Sequence, residues 1–224
     1  MDSYLCPVER KFAPYSFNGG TVLSIAGKDY AIIAADTRLS RDASIILSRD
    51  VVRSHQLTNK TFLGICGFHG DSSALIKIVK TRLKVYEHDN GKQMPTIGVA
   101  AMLSTILYGR RFFPFYCHCI VCGLDENGMG VMFGYDAVGS YSMSSYGAVG
   151  TGTAMIRPLL DDVISHTNTD LNMTVSISLD EALQILHDVA NAAAERDVCI
   201  GDAFLIHIIT KHGVKEEKFT LRRD

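Results

Sequence analysis

The sequence has 224 residues, is 47% hydrophobic and carries a formal net charge of -2. That is enough chain for one well-buried domain and short for two. Both charge signs are spread along it, so charge gives no footprint for nucleic acid and points to no partner, and no stretch is apolar for long enough to span a bilayer.

Residues 1–16 have no period and contain Pro7 and Pro14. They read as an extension outside a single domain over 17–224. The first residues hold no apolar core of signal-peptide length, so the expected location is cytoplasm and nucleus. In that reducing setting Cys6, Cys66, Cys117, Cys119, Cys122 and Cys199 are expected as thiols.

Thr21 to Ile25 and Tyr30 to Ala35 read as two strands of a hairpin turning through Gly27-Lys28-Asp29. Arg38 to Arg53 is a polar connection in which Ile45-Ile46-Leu47 forms a short strand or turn. Thr61 to Gly67 reads as a buried strand. Asp71-Ser72-Ser73 is expected to cap a helix to about His88, closed by Asn90-Gly91, with Leu75, Val79 and Leu83 on its apolar side. A second helix, Thr96 to about Arg111, is expected to turn Ile97, Ala100, Ala101, Ile106 and Leu107 inward.

Tyr116 to Cys122, Gly130 to Asp136 and Ser140 to Gly147 read as a three-stranded meander with a turn at Asp125 to Gly128. Val149 to Thr153 opens a helix through Leu160. Ser178-Leu179-Asp180-Glu181 is a capping box for a helix to about Arg196, with Ala182, Leu183, Leu186, Val189 and Ala193 inward. Ala203 to Thr210 and Val214 to Leu221 make a last hairpin. Periodicity alone gives an α+β protein and no finer class.

The second strand ends on Asp36-Thr37-Arg38, which reads either as a salt-bridged strand end or as part of a site. The run from Phe17 to Ser40 resembles the opening of a proteasome β subunit. In active members a threonine at the start of the first strand is the nucleophile, and the strand-end aspartate of Asp-Ser/Thr-Arg orients it. The resemblance covers nearly all of Phe17 to Leu221. It implies the four-layer alpha-beta-beta-alpha sandwich of N-terminal nucleophile hydrolases.

Counting back from Asp36 without a gap puts Gly20 at the family's threonine position and Thr21 one place later. A one-residue slip turns a strand side chain to the opposite face, so Thr21 is expected to point away from the groups that would serve it. The remaining positions carry over one by one. Arg53 stands where active members have a lysine, and a guanidinium holds its proton too firmly to shuttle it; the plainer reading is an ion pair. Thr151, within Gly150-Thr151-Gly152, matches a supporting hydroxyl, or else Thr151 or Thr153 caps the following helix. Asp197 is retained, while Ile200 replaces a second supporting serine with a side chain that cannot hydrogen-bond.

Longer runs, among them Gly67-Phe68-His69-Gly70-Asp71, Arg110-Arg111-Phe112-Phe113-Pro114 and Ala194-Glu195-Arg196-Asp197, resemble a silent member of the family. The resemblance implies a non-catalytic subunit with no cofactor and no metal. Its partners would be other β and α subunits in a 28-subunit assembly, and it would meet polypeptide substrates only through the shared chamber. The rival is an active threonine endopeptidase that frees Thr21 by cleaving Gly20-Thr21. The run from Cys117 to Cys122 has metal-like residue types, but alternation sends Cys117 and Cys119 to one face and His118 and Cys122 to the other. His55, His69, His88 and His187 read as scattered.

Overall fold

The computed structural model describes residues 15–165 and 177–222. The expected extension over 1–16 therefore lies almost wholly outside the described residues. Two five-stranded antiparallel sheets stack face to face, and a pair of helices covers each outer face. The predicted four-layer sandwich is the observed architecture.

The first sheet is built on β1 (Thr21–Ala26) and β2 (Tyr30–Asp36). Both are buried along their whole length because the sheet is covered on both sides. Leu23, Ile25, Ile32 and Ala34 face one helix pair, while Val22, Ala31, Ile33 and Ala35 face the other sheet. The connection after β2 forms a separate hairpin, β3 (Leu39–Arg41) and β4 (Ile45–Ser48), whose isoleucines and leucine are exposed.

The second sheet starts with β5 (Ser54–Thr58), which the sequence did not signal, and β6 (Thr61–Gly67). Two helices then cover it, α1 (His69–Asn90) and α2 (Thr96–Tyr108). The expected cap at residues 71–73 is not there: α1 starts two residues earlier, and the Ser72 hydroxyl donates to the Phe68 carbonyl. Its end is as expected, with Gly91 in the left-handed region at φ 65°.

Helix α2 turns Val99, Ala100, Leu103 and Leu107 inward and leaves Ile97 and Ala101 exposed. This corrects the expected face. The helix is apolar on nearly every side, so its pattern could not select one.

The sheet continues through β7 (Cys117–Leu124), β8 (Gly130–Tyr135) and β9 (Tyr141–Ser144). The expected third meander strand is in fact two. After Ser145 the chain crosses to the first sheet, where β10 (Tyr146–Gly150) pairs with β1. Then come α3 (Thr153–Leu160), a π-helical turn at Asp161–Ser165, α4 (Leu179–Ala194), β11 (Ala203–Thr210) and β12 (Gly213–Thr220). The sheet orders are β10-β1-β2-β11-β12 and β5-β6-β7-β8-β9.

The capping box is present as read. The Ser178 hydroxyl accepts the Glu181 N–H, and the Glu181 carboxylate accepts the Ser178 N–H at 2.9 Å. Those bonds hold the Glu181 carboxyl below its ordinary range. Ala182, Leu186, Val189, Ala190 and Ala193 are buried against the first sheet, with Leu183 half-buried. Ser178→Ala is expected to remove about 1 kcal/mol, read as a small fall in the thermal midpoint.

Candidate functional site

The antiparallel register, Val22 opposite Ala35, brings the start of β1 to the end of β2. There the Thr21 N–H donates to Asp36 Oδ1 at 2.8 Å. Asp36 is fully buried, and its other oxygen has no hydrogen-bond partner. Arg53, just ahead of β5, is also buried; its Nε lies 3.2 Å from Asp36 Oδ1, and its Nη2 donates to the Arg38 carbonyl. The Nε approach is an ion-pair contact without hydrogen-bond alignment. Burial drives the Asp36 carboxyl up to about 7, against the opposing pull of Arg53 and of the Thr21 and Arg38 N–H groups.

The strand-end motif is thus split between two ion pairs. Asp36 pairs with Arg53, while Arg38 pairs at 3.0 Å with Asp202 and donates to the Val198 carbonyl. Of the two readings of Arg53, neither a surface pair nor a lysine-like shuttle describes it. It is a buried counterion.

Gly20 and Thr21 address different groups. Gly20 has φ +95°, and a Cβ on it would sit 2.3 Å from Arg53 Cζ. The guanidinium occupies the space a side chain at position 20 would need. Thr21 instead lies on the β1 face shared with Leu23 and Ile25, toward α3 and α4. Its hydroxyl accepts the Gly152 N–H at 2.9 Å and lies 3.4 Å from Thr151 Oγ1. Thr21 is 0% exposed.

The sequence expectation for Thr21 needs amending. Its hydroxyl turns away from Arg53 but does reach Thr151, and its backbone N–H does reach Asp36. Neither Thr151 nor Thr153 caps α3, whose N-cap is Gly152 without a side-chain bond; Thr153 donates to the Gly150 carbonyl. Asp197 accepts the Cys199 N–H at 2.9 Å and leaves its other oxygen unpartnered. Its charge adds to the upward pressure on Asp36. Ile200 is buried in the core beneath α3 and α4, beside Gly152.

Two features were not read from the sequence. Asn18 bridges the segment before β1 to its surroundings, donating to the Ser40 carbonyl and accepting the His69 N–H at the start of α1. Its Asn-Gly-Gly context was the only signal. His55 and His69 are not scattered: with His207 and Lys80 they sit close enough for the field of the others to help burial push the His55 ring down to about 4. A cavity of about 50 Å³, lined by Arg53, His55, His69 and Ser72 among others, has room for a few waters but none for a peptide.

The cysteine-rich strand follows its alternation. Cys117 and Cys119 pack under α1 and α2, Cys122 lies between the sheets, and His118 is exposed. Burial pushes the Cys66 and Cys122 thiols up to about 12, which makes them poor nucleophiles and ligands. Among the described residues no three His, Cys, Asp or Glu side chains are grouped to hold a metal ion.

This fold, with Asp36, Arg53 and Thr151 converging where β1 begins, is matched by the family model for proteasome subunits over residues 16–209. The chain belongs to the proteasome subunit family. It is 52% identical over 221 residues to proteasome subunit beta type-1-B of goldfish, Carassius auratus, covering 99% of this chain and 93% of that protein. It is 42% identical over 217 residues to proteasome subunit beta type-1 of Arabidopsis thaliana, covering 95% and 97%. Its identity to proteasome subunit beta type-6 of Saccharomyces cerevisiae is 37% over 227 residues, covering 97% and 94%.

Proposed function

We propose that this chain is a non-catalytic β subunit of the 20S proteasome core, at the ring position held by the beta type-1 proteins it resembles. Its work is structural. It occupies one place in each β ring, contacts neighbouring β and α subunits of a 28-subunit assembly, and helps shape the chamber and the pockets of active neighbours. The setting is the cytoplasm and nucleus, and the unbridged buried thiols of β6 and β7 suit a reducing compartment.

The observation that carries this reading is the occupation of the nucleophile's place. Position 20 has no side chain, the guanidinium of Arg53 fills the space beside it, and Arg53 cannot accept a proton from a nucleophile at neutral pH. Thr21 offers a hydroxyl, yet that hydroxyl is sealed under α3 with Ile200 as its apolar neighbour across Gly152. A threonine protease needs its nucleophile exposed to substrate and next to a base.

Thr21→Ala tests it. Complex containing the variant, compared at equal amounts of assembled particle, is expected to cleave every peptide class at the unmodified rate. Gly152 loses its acceptor, so a stability cost of about 1–3 kcal/mol is expected. Loss of one cleavage specificity with normal assembly would establish the rival, an active endopeptidase using Thr21.

A further inference from the structure

The overall charge balance conceals a local imbalance. Between Ser72 and Leu124 the chain carries seven basic residues against two acidic ones, Glu87 and Asp89, whereas the whole chain is at -2. This stretch contains α1, α2 and the loop after them, the helical layer over the second sheet. Its cations include Lys77, Lys80, Arg82 and Lys84 on the exposed side of α1. The basic character of this face is invisible in a net charge.

An apolar groove of about 450 Å³ runs between α1 and α2. Ile78, Met102, Ile106 and Phe115 line it, with Arg82 and Arg110 beside them. At its end the loop over residues 109–116 holds out large aromatic rings: Phe112 is 96% exposed, and Phe113, Tyr108 and Tyr116 are exposed as well.

The loop is ordered by its own bonds, Arg111 N–H to the Tyr108 carbonyl at 3.0 Å and Phe113 N–H to the Arg110 carbonyl at 2.9 Å. The Arg111 guanidinium lies 5.6 Å from the Phe112 ring centre, and that of Arg110 lies 5.5 Å from the Phe115 ring centre. Aromatic rings held in place beside arginines have the composition of an interface centre, and holding them beforehand lowers the entropy lost on docking.

We propose that the α1–α2 groove and the 109–116 loop form a docking surface for an acidic amphipathic segment of another proteasome subunit. The partner places apolar side chains in the groove and carboxylates against Arg82, Arg110 and Arg111, while Phe112 and Phe113 enter an apolar recess on it. The proposal rests on the reading of the chain as a β subunit and adds which face meets a partner and by what chemistry. Protein is favoured over nucleic acid because the cations flank a floor of aliphatic and aromatic side chains, which a sugar-phosphate backbone would leave uncovered.

The test is competitive incorporation in the protein's own cells. Tagged wild-type chain is co-expressed with R82E/R110E/R111E or with Phe112→Ser, and the chains are counted in purified 20S particles. Both variants are expected to fall about tenfold or more behind wild type, as loss of interface arginines or a central aromatic would cause. Phe112 is almost fully exposed, so its replacement cannot act by unfolding the chain. Lys215→Glu on the exposed edge strand β12 is the control and is expected to incorporate normally.

A photo-crosslinking residue at Phe113 then identifies what lies opposite. A crosslink to a proteasome subunit segment bearing Asp or Glu among apolar residues supports the proposal. A crosslink to nucleic acid, to a basic segment or to nothing in the assembled particle overturns it. Equal incorporation of the variants overturns this inference alone, whereas absence of the wild-type chain from the particle overturns both this and the subunit reading.

Discussion

Replacing Arg53 by methionine is expected to destabilise the chain by about 3–5 kcal/mol at pH 8, since it strands the Asp36 carboxylate in the core without its counterion. The pH dependence gives the sharper signature. Burial raises the native Asp36 carboxyl from 3.8 to about 7. Between those values the native state holds a proton that the unfolded chain has released. This group's contribution is therefore most favourable below about pH 4, declines as pH rises, and levels off above about pH 7, where both states are ionised.

Arg53 opposes the rise, so its loss must move the native value higher still. The variant should keep losing stability above pH 7, by about 1.4 kcal/mol per pH unit, where the wild type has levelled off. The difference in urea midpoint between the two, followed from pH 5 to pH 8.5, is expected to widen with pH because their shared titrations cancel. A constant or narrowing difference would mean that Arg53 does not control the Asp36 charge.

The second large effect is expected at Gly20. Alanine there would put its Cβ 2.3 Å from Arg53 Cζ on a backbone at φ +95°. The backbone strain is worth about 1–3 kcal/mol, and the clash adds the displacement of a buried, ion-paired guanidinium. A total of about 3 kcal/mol or more is expected from these contributions.

Arg53→Met supplies the control because a thioether chain can yield where the guanidinium cannot. In that background Gly20→Ala should cost little beyond the strain, so the two changes are strongly non-additive. Additive losses in a four-variant cycle would show that the guanidinium is not what keeps position 20 small. Gly20→Thr is expected to fail in the same way and to gain no peptide cleavage.

How much of this was legible depends on the range of the signal. The β1–β2 hairpin, the Ser178–Glu181 capping box and the β11–β12 hairpin were readable because each is specified by residues a few places apart. The crossing at Ser145 was not. Strands β9 and β10 look alike locally, and only the pairing of β10 with β1, more than a hundred residues away, divides them between sheets. Strand β5 is too short and polar to announce itself. The face of α2 was misread because Ile97 and Ala101 are as apolar as Val99 and Ala100.

At the site, the sequence and the family resemblance supplied the candidates, and the absence of a side chain at position 20 was plain. What needed coordinates was the reason position 20 stays that way. Arg53 is thirty-three places further along the chain, and no spacing rule predicts that its guanidinium packs against Gly20 while pairing with Asp36. The contact between Thr21 and Thr151 was equally hidden, since it depends on the register of β10 against β1.

The most direct test of a silent site is the intact mass of this chain within the 20S particle isolated from its own cells, resolved to a single N-terminal residue. The account predicts a chain that begins upstream of Gly20, so that the Thr21 nitrogen remains a peptide N–H bonded to Asp36. A chain beginning at Thr21 would carry a free amine next to that carboxylate. It would contradict the non-catalytic assignment and identify Thr21 as the nucleophile.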